Sequence, residues 1–155
     1  MEVVQTAEKN IRTSTMLRNL AVTSDFYSFV NDHENVMQET TFSAYLSRLC
    51  DVNNLVPERV IKAAQIDRTY GHQLFNGTRK PSRDKVIQLA FGFAMTVEEC
   101  QGLLRVAGKN PLYPKIKRDA AILFCLSKGM NVLETQSLLE SLDLTLLGGN
   151  WQNGE

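Results

Sequence analysis

The chain has 155 residues, 43% of them apolar, and 17 basic and 17 acidic side chains that give no formal net charge at pH 7. This length and apolar content allow a substantial core and argue against a wholly disordered protein. The three cysteines are far apart and form no zinc-type or disulfide-type spacing, so we expect neither a metal nor a cofactor.

The distribution of charge along the chain is uneven although the total is zero. Residues 57–88 carry seven basic and three acidic side chains, whereas residues 132–155 carry four acidic and no basic ones. A basic block between acidic ends can form a local anion-binding face without a basic isoelectric point. The chain also lacks an apolar signal segment and any run of about 18 apolar residues, so we expect a cytoplasmic protein with no membrane partner.

The first 36 residues have the least regular apolar spacing. Helices are expected over residues 7–20 and 25–30. We therefore treat residues 1–36 as an N-terminal helical extension.

The pattern of residues 37–108 predicts successive short helices. Apolar side chains in "TFSAYLSRLC" recur at helical spacing, and Pro57 suits the first turn of the next helix. A third helix is predicted from Arg68 to Phe75, with Asp67 as its N-cap and the Asn76-Gly77 pair at its end.

The chain then repeats itself at an offset of 35 residues. Residues 82–113 align with 117–148 without gaps and are identical at 10 of 32 positions. Each copy has the pattern of an αα-hairpin, and the second is expected to pack on the first. Asp84 and Asp119, which open the two copies, are interpreted as helix-start residues that face the helix dipole. Residues 109–155 therefore form a C-terminal helical hairpin and a polar tail.

The order of elements around the basic block is typical of a helix-turn-helix. The short helix 68–75 would enter the DNA major groove, and the loop after it would contact phosphates. The candidate base-contacting residues are Arg68, Thr69, His72 and Gln73. The candidate phosphate-contacting residues are Thr78, Arg79, Lys80 and Arg83.

From about residue 41 to 107 the sequence resembles the Xre family of helix-turn-helix regulators, which share the lambda-repressor fold. The resemblance lies in "VIKAAQIDRTYGHQLFNGTRKPS", its Gly77-x-Arg79-x-Pro81-Ser82 loop, and the following "VIQLAFGFAMTVEE". It implies an all-α, lambda-repressor-like domain that regulates transcription in a bacterium or mobile element by binding double-stranded DNA as a homodimer. The stretch 37–148 also resembles a clostridial-type subgroup with an appended helical hairpin.

Two positions depart from that family pattern. Gly71 stands where the family usually buries an aliphatic residue, which predicts a less well packed reading helix. Glu58 stands where many members carry Gln or Ser to meet a phosphate, and an acid there would repel one.

Two other classes of function are an enzyme and a protein-interaction module. An enzyme is not expected, because the chain has two histidines and neither a Gly-rich phosphate loop nor a nucleophile motif. The alternative is a protein-interaction or adaptor module of the same fold that acts through the acidic C-terminal hairpin. Its partner or dimer face would comprise Leu142, Leu144, Leu146 and Trp151.

Overall fold

The computed structural model describes residues 12–34, 37 and 40–149, and it divides the chain into two units after Thr40. Throughout these ranges the regular structure is α-helical, which confirms an all-α protein. The helices are α1 Thr13–Val22, α2 Phe26–His33, α3 Phe42–Val52, α4 Pro57–Ala63, α5 Arg68–Asn76, α6 Arg83–Gly92, α7 Val97–Val106, α8 Lys117–Ser127 and α9 Val132–Ser141. In the part of the chain that is described, no helix has the length and apolar character needed to cross a membrane.

The first unit contains α1 and α2, close to the two helices expected there; residues 7–11 of the first expected helix lie outside the described residues. Asp25 caps α2 by accepting hydrogen bonds from the Tyr27 amide and the Ser28 hydroxyl. Phe29 is buried and its ring stacks on His33 with 4.2 Å between the ring centroids.

The second unit begins with α3 to α5, whose ends follow local sequence signals. Pro57 occupies the first turn of α4, and the Asp67 carboxylate accepts the Tyr70 amide at the start of α5. Gly77 ends α5 with φ of 82°, a conformation that glycine adopts without strain. The predicted caps at Asp67 and Gly77 are thus confirmed. A turn of residues 64–67 joins α4 to α5, with Gln65 at φ of 57°.

Two glycines allow α4, α5 and α6 to approach closely. A Cβ atom on Gly71 would lie 2.4 Å from Cγ2 of Ile61, so α5 lies directly against α4. A Cβ on Gly92 would lie 2.6 Å from the Val60 carbonyl oxygen. Gly71 therefore does not leave α5 loosely packed, as the absence of a buried aliphatic side chain suggested; it permits the contact with Ile61.

The helices α6–α7 and α8–α9 form two pairs with matching turns. The turn of each pair has one residue at positive φ, Ala94 at 54° and Gly129 at 68°, and these are 35 positions apart. Each second helix begins with a capping box. The N-cap side chain accepts a hydrogen bond from the backbone amide of a glutamate, and the glutamate side chain accepts one from the N-cap amide. The glutamates are Glu99 and Glu134, again 35 positions apart.

Two salt bridges cross between these helix pairs. Arg83, at the start of α6, binds Asp119 of α8, and Arg118 of α8 binds Asp84 of α6; each pair has an Nη2–Oδ2 distance of 2.9 Å. Each aspartate also accepts an amide hydrogen bond from the end of the other pair, Asp119 from Tyr113 and Asp84 from Gly148.

The two arginines also hold the closing loop of their own pair. Arg83 donates to the carbonyl oxygens of Asn110 and Pro111, and Arg118 donates to those of Thr145 and Leu146. Asp84 and Asp119 therefore connect two helix pairs, whereas the sequence suggested that they only stabilise helix starts. Such mutual contacts are the pattern of a two-fold interface, here made within one chain.

The pKa of Asp119 lies below its ordinary value of 3.8. Burial of the carboxyl raises the pKa, but hydrogen bonds from Arg83 and the Tyr113 amide, with the charges of Arg83 and Arg118, lower it by more. A depressed pKa means that the charged form stabilises the folded state above pH 3.8, and that this contribution is lost as the pH falls through the folded-state value.

We predict that Gly92→Ala lowers the free energy of unfolding by about 1–3 kcal/mol, because the new methyl group meets the α4 backbone. The control is Gly102→Ala in α7, where the nearest atom to a Cβ is Arg105 Nη2 at 3.9 Å. In that variant the free energy of unfolding should rise by about 0.5–1 kcal/mol, because Ala has a higher helix propensity than Gly. Urea unfolding of both variants measures the change in the free energy of unfolding. Two changes of the same sign would contradict the close packing at Gly92.

We also predict that Asp119→Asn destabilises the fold by about 3 kcal/mol at pH 7, since it leaves the partly buried Arg83 without its counter-charge. The difference in the free energy of unfolding between the variant and wild type should stay constant down to about pH 4. It should become smaller below pH 3.8, because wild-type Asp119 then becomes protonated. Urea titrations at several pH values test this, with the exposed Asp51→Asn as control. A difference that does not change with pH would argue against a charged Asp119 in the pair.

Candidate nucleic-acid interface

Helix α5 is anchored on one side and polar on the other. Gly71, Leu74 and Phe75 are buried against neighbouring helices. Of the residues predicted to contact bases, Arg68 and Thr69 are exposed, whereas His72 and Gln73 are half-buried. The helix therefore presents polar side chains with hydrogen-bonding groups on its outer side, as a groove-reading helix requires.

The basic loop after α5 folds back over that helix. The Arg79 amide donates to the Gln73 carbonyl oxygen at 3.2 Å, and Arg79 Nε donates to Gln73 Oε1 at 3.1 Å. The Arg79 guanidinium carbon lies 4.5 Å from the centroid of the Tyr70 ring, and Lys85 Nζ lies 5.4 Å from the same centroid. Two cations thus share one aromatic platform, an arrangement worth about 0.5–1 kcal/mol for each exposed contact.

Tyr70 and Lys85 are functional candidates that the sequence did not single out. The half-buried ring of Tyr70 supports the Arg79 guanidinium. The spacing of Tyr70 and Gln73, three residues apart on a helix, puts the two side chains on one face and could have indicated a shared partner.

Arg68 is paired with Glu58 of α4 at 2.9 Å, and both side chains are well exposed, at 77% and 60%. An exposed pair of this kind contributes little stability and exchanges readily for another partner. Glu58 therefore lies against a cation of α5, which offsets its negative charge.

Thr78 and Lys80 lie in the exposed loop. The Thr78 amide donates to the Asn76 side-chain oxygen at 2.9 Å, and its hydroxyl bonds to the same oxygen. These contacts fix the loop immediately after Gly77, so that Arg79 and Lys80 follow from a defined backbone.

Arg83 was predicted to contact phosphate, but its guanidinium binds other groups of the fold. Its guanidinium donates four hydrogen bonds, to Asn110, Pro111 and both carboxylate oxygens of Asp119. With these bonds its side chain is only 28% exposed. Arg83 is therefore a structural residue of the paired hairpins, and we do not include it in the interface.

The predicted partner face of the C-terminal hairpin is only partly at the surface. Leu142 is 37% exposed, whereas Leu144 and Leu146 pack against the core; Trp151 lies outside the described residues. The larger exposed apolar side chains of α8, its N-cap and α9 are Ile116, Phe124 and Leu133.

The three cysteines lie in the core of the second unit. Cys50, Cys100 and Cys125 are buried free thiols, and burial raises the pKa of Cys100 to about 12 despite the nearby charge of Arg83. Among the described residues, no group of three His, Cys, Asp or Glu side chains is placed to hold a metal ion.

Comparisons with protein-family models, curated proteins and solved structures find no match to this chain.

Proposed function

We propose that this chain is a sequence-specific DNA-binding regulator of transcription with a lambda-repressor-like helix-turn-helix, similar to the Xre family, and a repeated αα-hairpin at its C-terminus. The main support is the ordered contact of Arg79 with Gln73 and Tyr70 beside an α5 helix that presents polar side chains. In this proposal α4 and α5 are the helix-turn-helix, and α5 lies in the major groove of a duplex bound by a homodimer on paired half-sites.

The proposed contacts divide into two groups. Arg68, Thr69, His72 and Gln73 face base edges, where Arg suits guanine and Gln suits adenine. Thr78, Arg79 and Lys80 face phosphates, which supply affinity without sequence information. Because Arg79 is already ordered over Tyr70, its immobilisation on binding would cost less than that of a free side chain.

We predict that fluorescence anisotropy will detect binding of the chain to duplex DNA from upstream of its own coding sequence. Binding should be at least 10³-fold tighter than to random duplex, in the range typical of specific regulators. In a salt series, Arg79→Ala/Lys80→Ala should reduce the slope of log K against log salt concentration by about 1.8, since each lost phosphate contact removes about 0.9. Gln73→Ala should instead weaken binding to the specific duplex more than to the random one. Equal affinity for both duplexes at low salt would refute the proposal.

A second candidate function is docking of a protein partner, here a second copy of the chain, on α8. In the first hairpin, Gln88 of α6 donates to the carbonyl oxygens of Ala64 and Gln65, so this face of α6 is covered by the end of α4. The corresponding face 35 residues on is apolar and includes Leu123 and Phe124; Phe124 is 47% exposed, whereas its counterpart Leu89 is fully buried.

For this second candidate we predict that the full chain self-associates and that Phe124→Asp raises the dissociation constant at least 10-fold. Sedimentation velocity over a concentration series measures it, with Val52→Asp as a control at another exposed apolar residue. A dimer of unchanged strength in Phe124→Asp would place any homodimer contact elsewhere.

A further inference from the structure

The two helix pairs are polarised in charge along their length. We call the basic end the part built from residues 78–85, 105–119 and 140–149, which holds the starts of α6 and α8 and the closing loops that Arg83 and Arg118 bind. This end carries nine basic and four acidic side chains. The turns at the other end, residues 93–99 and 128–134, carry one basic and three acidic side chains.

The crossed salt bridges bring the first turns of α6 and α8 together. Arg83 is the first residue of α6 and Asp119 the third of α8, and their side chains are 2.9 Å apart. The chain that leads towards α8 also meets this point, since the Asn110 and Pro111 carbonyl oxygens accept from Arg83 and the Tyr113 amide donates to Asp119. Residues 110–113 therefore lie against Arg83, the residue at which the basic loop proposed to contact phosphates ends.

The two segments also correspond in sequence. Lys115 stands 35 positions after Lys80, and Lys117 stands 35 positions after Ser82. Lys115 and Lys117 are both exposed, and neither forms a salt bridge within the described parts of the chain. Two cations next to the proposed phosphate-binding loop thus have no structural role in the described fold, in contrast to Arg83 and Arg118.

We propose that Lys115 and Lys117 form a second phosphate-binding segment that contacts the same duplex as Arg79 and Lys80. This inference rests on the proposed DNA-binding function and extends the contact surface from the helix-turn-helix onto the C-terminal hairpin. The partner chemistry is a run of backbone phosphates, because flexible lysines recognise these as point charges and do not distinguish bases.

The test is the salt dependence of DNA binding by full-length Lys115→Ala/Lys117→Ala, measured by anisotropy on the duplex used for wild type. The slope of log K against log salt concentration should fall by about 1.8, as for two lost phosphate contacts, with the preference for specific over random duplex retained. Lys115→Arg/Lys117→Arg should keep the wild-type slope. Lys128→Ala, at the other end of the hairpin, is the matched control and should also keep it, and urea unfolding verifies that the variants are equally stable.

The outcomes separate this inference from the proposed function. If Lys115→Ala/Lys117→Ala keeps the wild-type slope while Arg79→Ala/Lys80→Ala lowers it, the second segment is refuted and the regulator remains. Lys128→Ala removes one charge where the test variant removes two, so if it lowers the slope by about half as much, the effect is one of overall charge and the inference is again overturned. If wild type binds no duplex at low salt, both proposals fail.

Discussion

The arrangement of the second unit depends on two salt bridges, Arg83–Asp119 and Arg118–Asp84. Each arginine binds an aspartate of the other helix pair and also the closing loop of its own helix pair. One guanidinium therefore connects three segments of chain: its own helix, that closing loop and the first turn of the other pair. The Asp119 side chain is only 4% exposed, and a charge so placed is tolerated because its partners are all present. Since α6 begins at Arg83, the same contacts also fix the point where the basic loop ends.

This constraint separates the cations of the basic block into structural and exchangeable ones. Arg83 is held by partly buried partners and is costly to remove from them. Arg68 and Arg79 have partners that water can replace, an exposed carboxylate and the face of a half-buried ring. In the proposed DNA-binding function, DNA would therefore compete for Arg68 and Arg79 and not for Arg83. The surface available for recognition is smaller than the charge of the sequence suggests, but better ordered.

The sequence predicted the helical class, the helices from α3 onward, and the caps at Asp67 and Gly77, because these depend on local spacing and on residues within one turn. It did not predict the partners of Arg83 and Asp84, since an Arg-Asp pair at a helix start has the same local pattern whether it faces solvent or another helix. The repeat at an offset of 35 was the available signal, because identical charged pairs in both copies permit crossed pairing. Gly71 was misjudged for a related reason: the sequence does not show that Ile61 of α4 occupies the space that an aliphatic side chain at this position would fill.

The polarised charge explains how a neutral chain can attract a polyanion. The helices of the paired hairpins have about ten residues each, which corresponds to roughly 15 Å of length. The Debye length at physiological salt is about 8 Å, so charges at the acidic turns are largely screened from a ligand at the basic end. A duplex approaching the basic end would therefore respond to its excess of five positive charges and not to the zero total. Lys115, Lys117 and Arg118 of the second hairpin are matched in number at this end by Asp119, Glu140 and Asp143, so the excess arises from the basic loop and the first hairpin. The crossed salt bridges hold the start of α8, with its lysines, against this positive region.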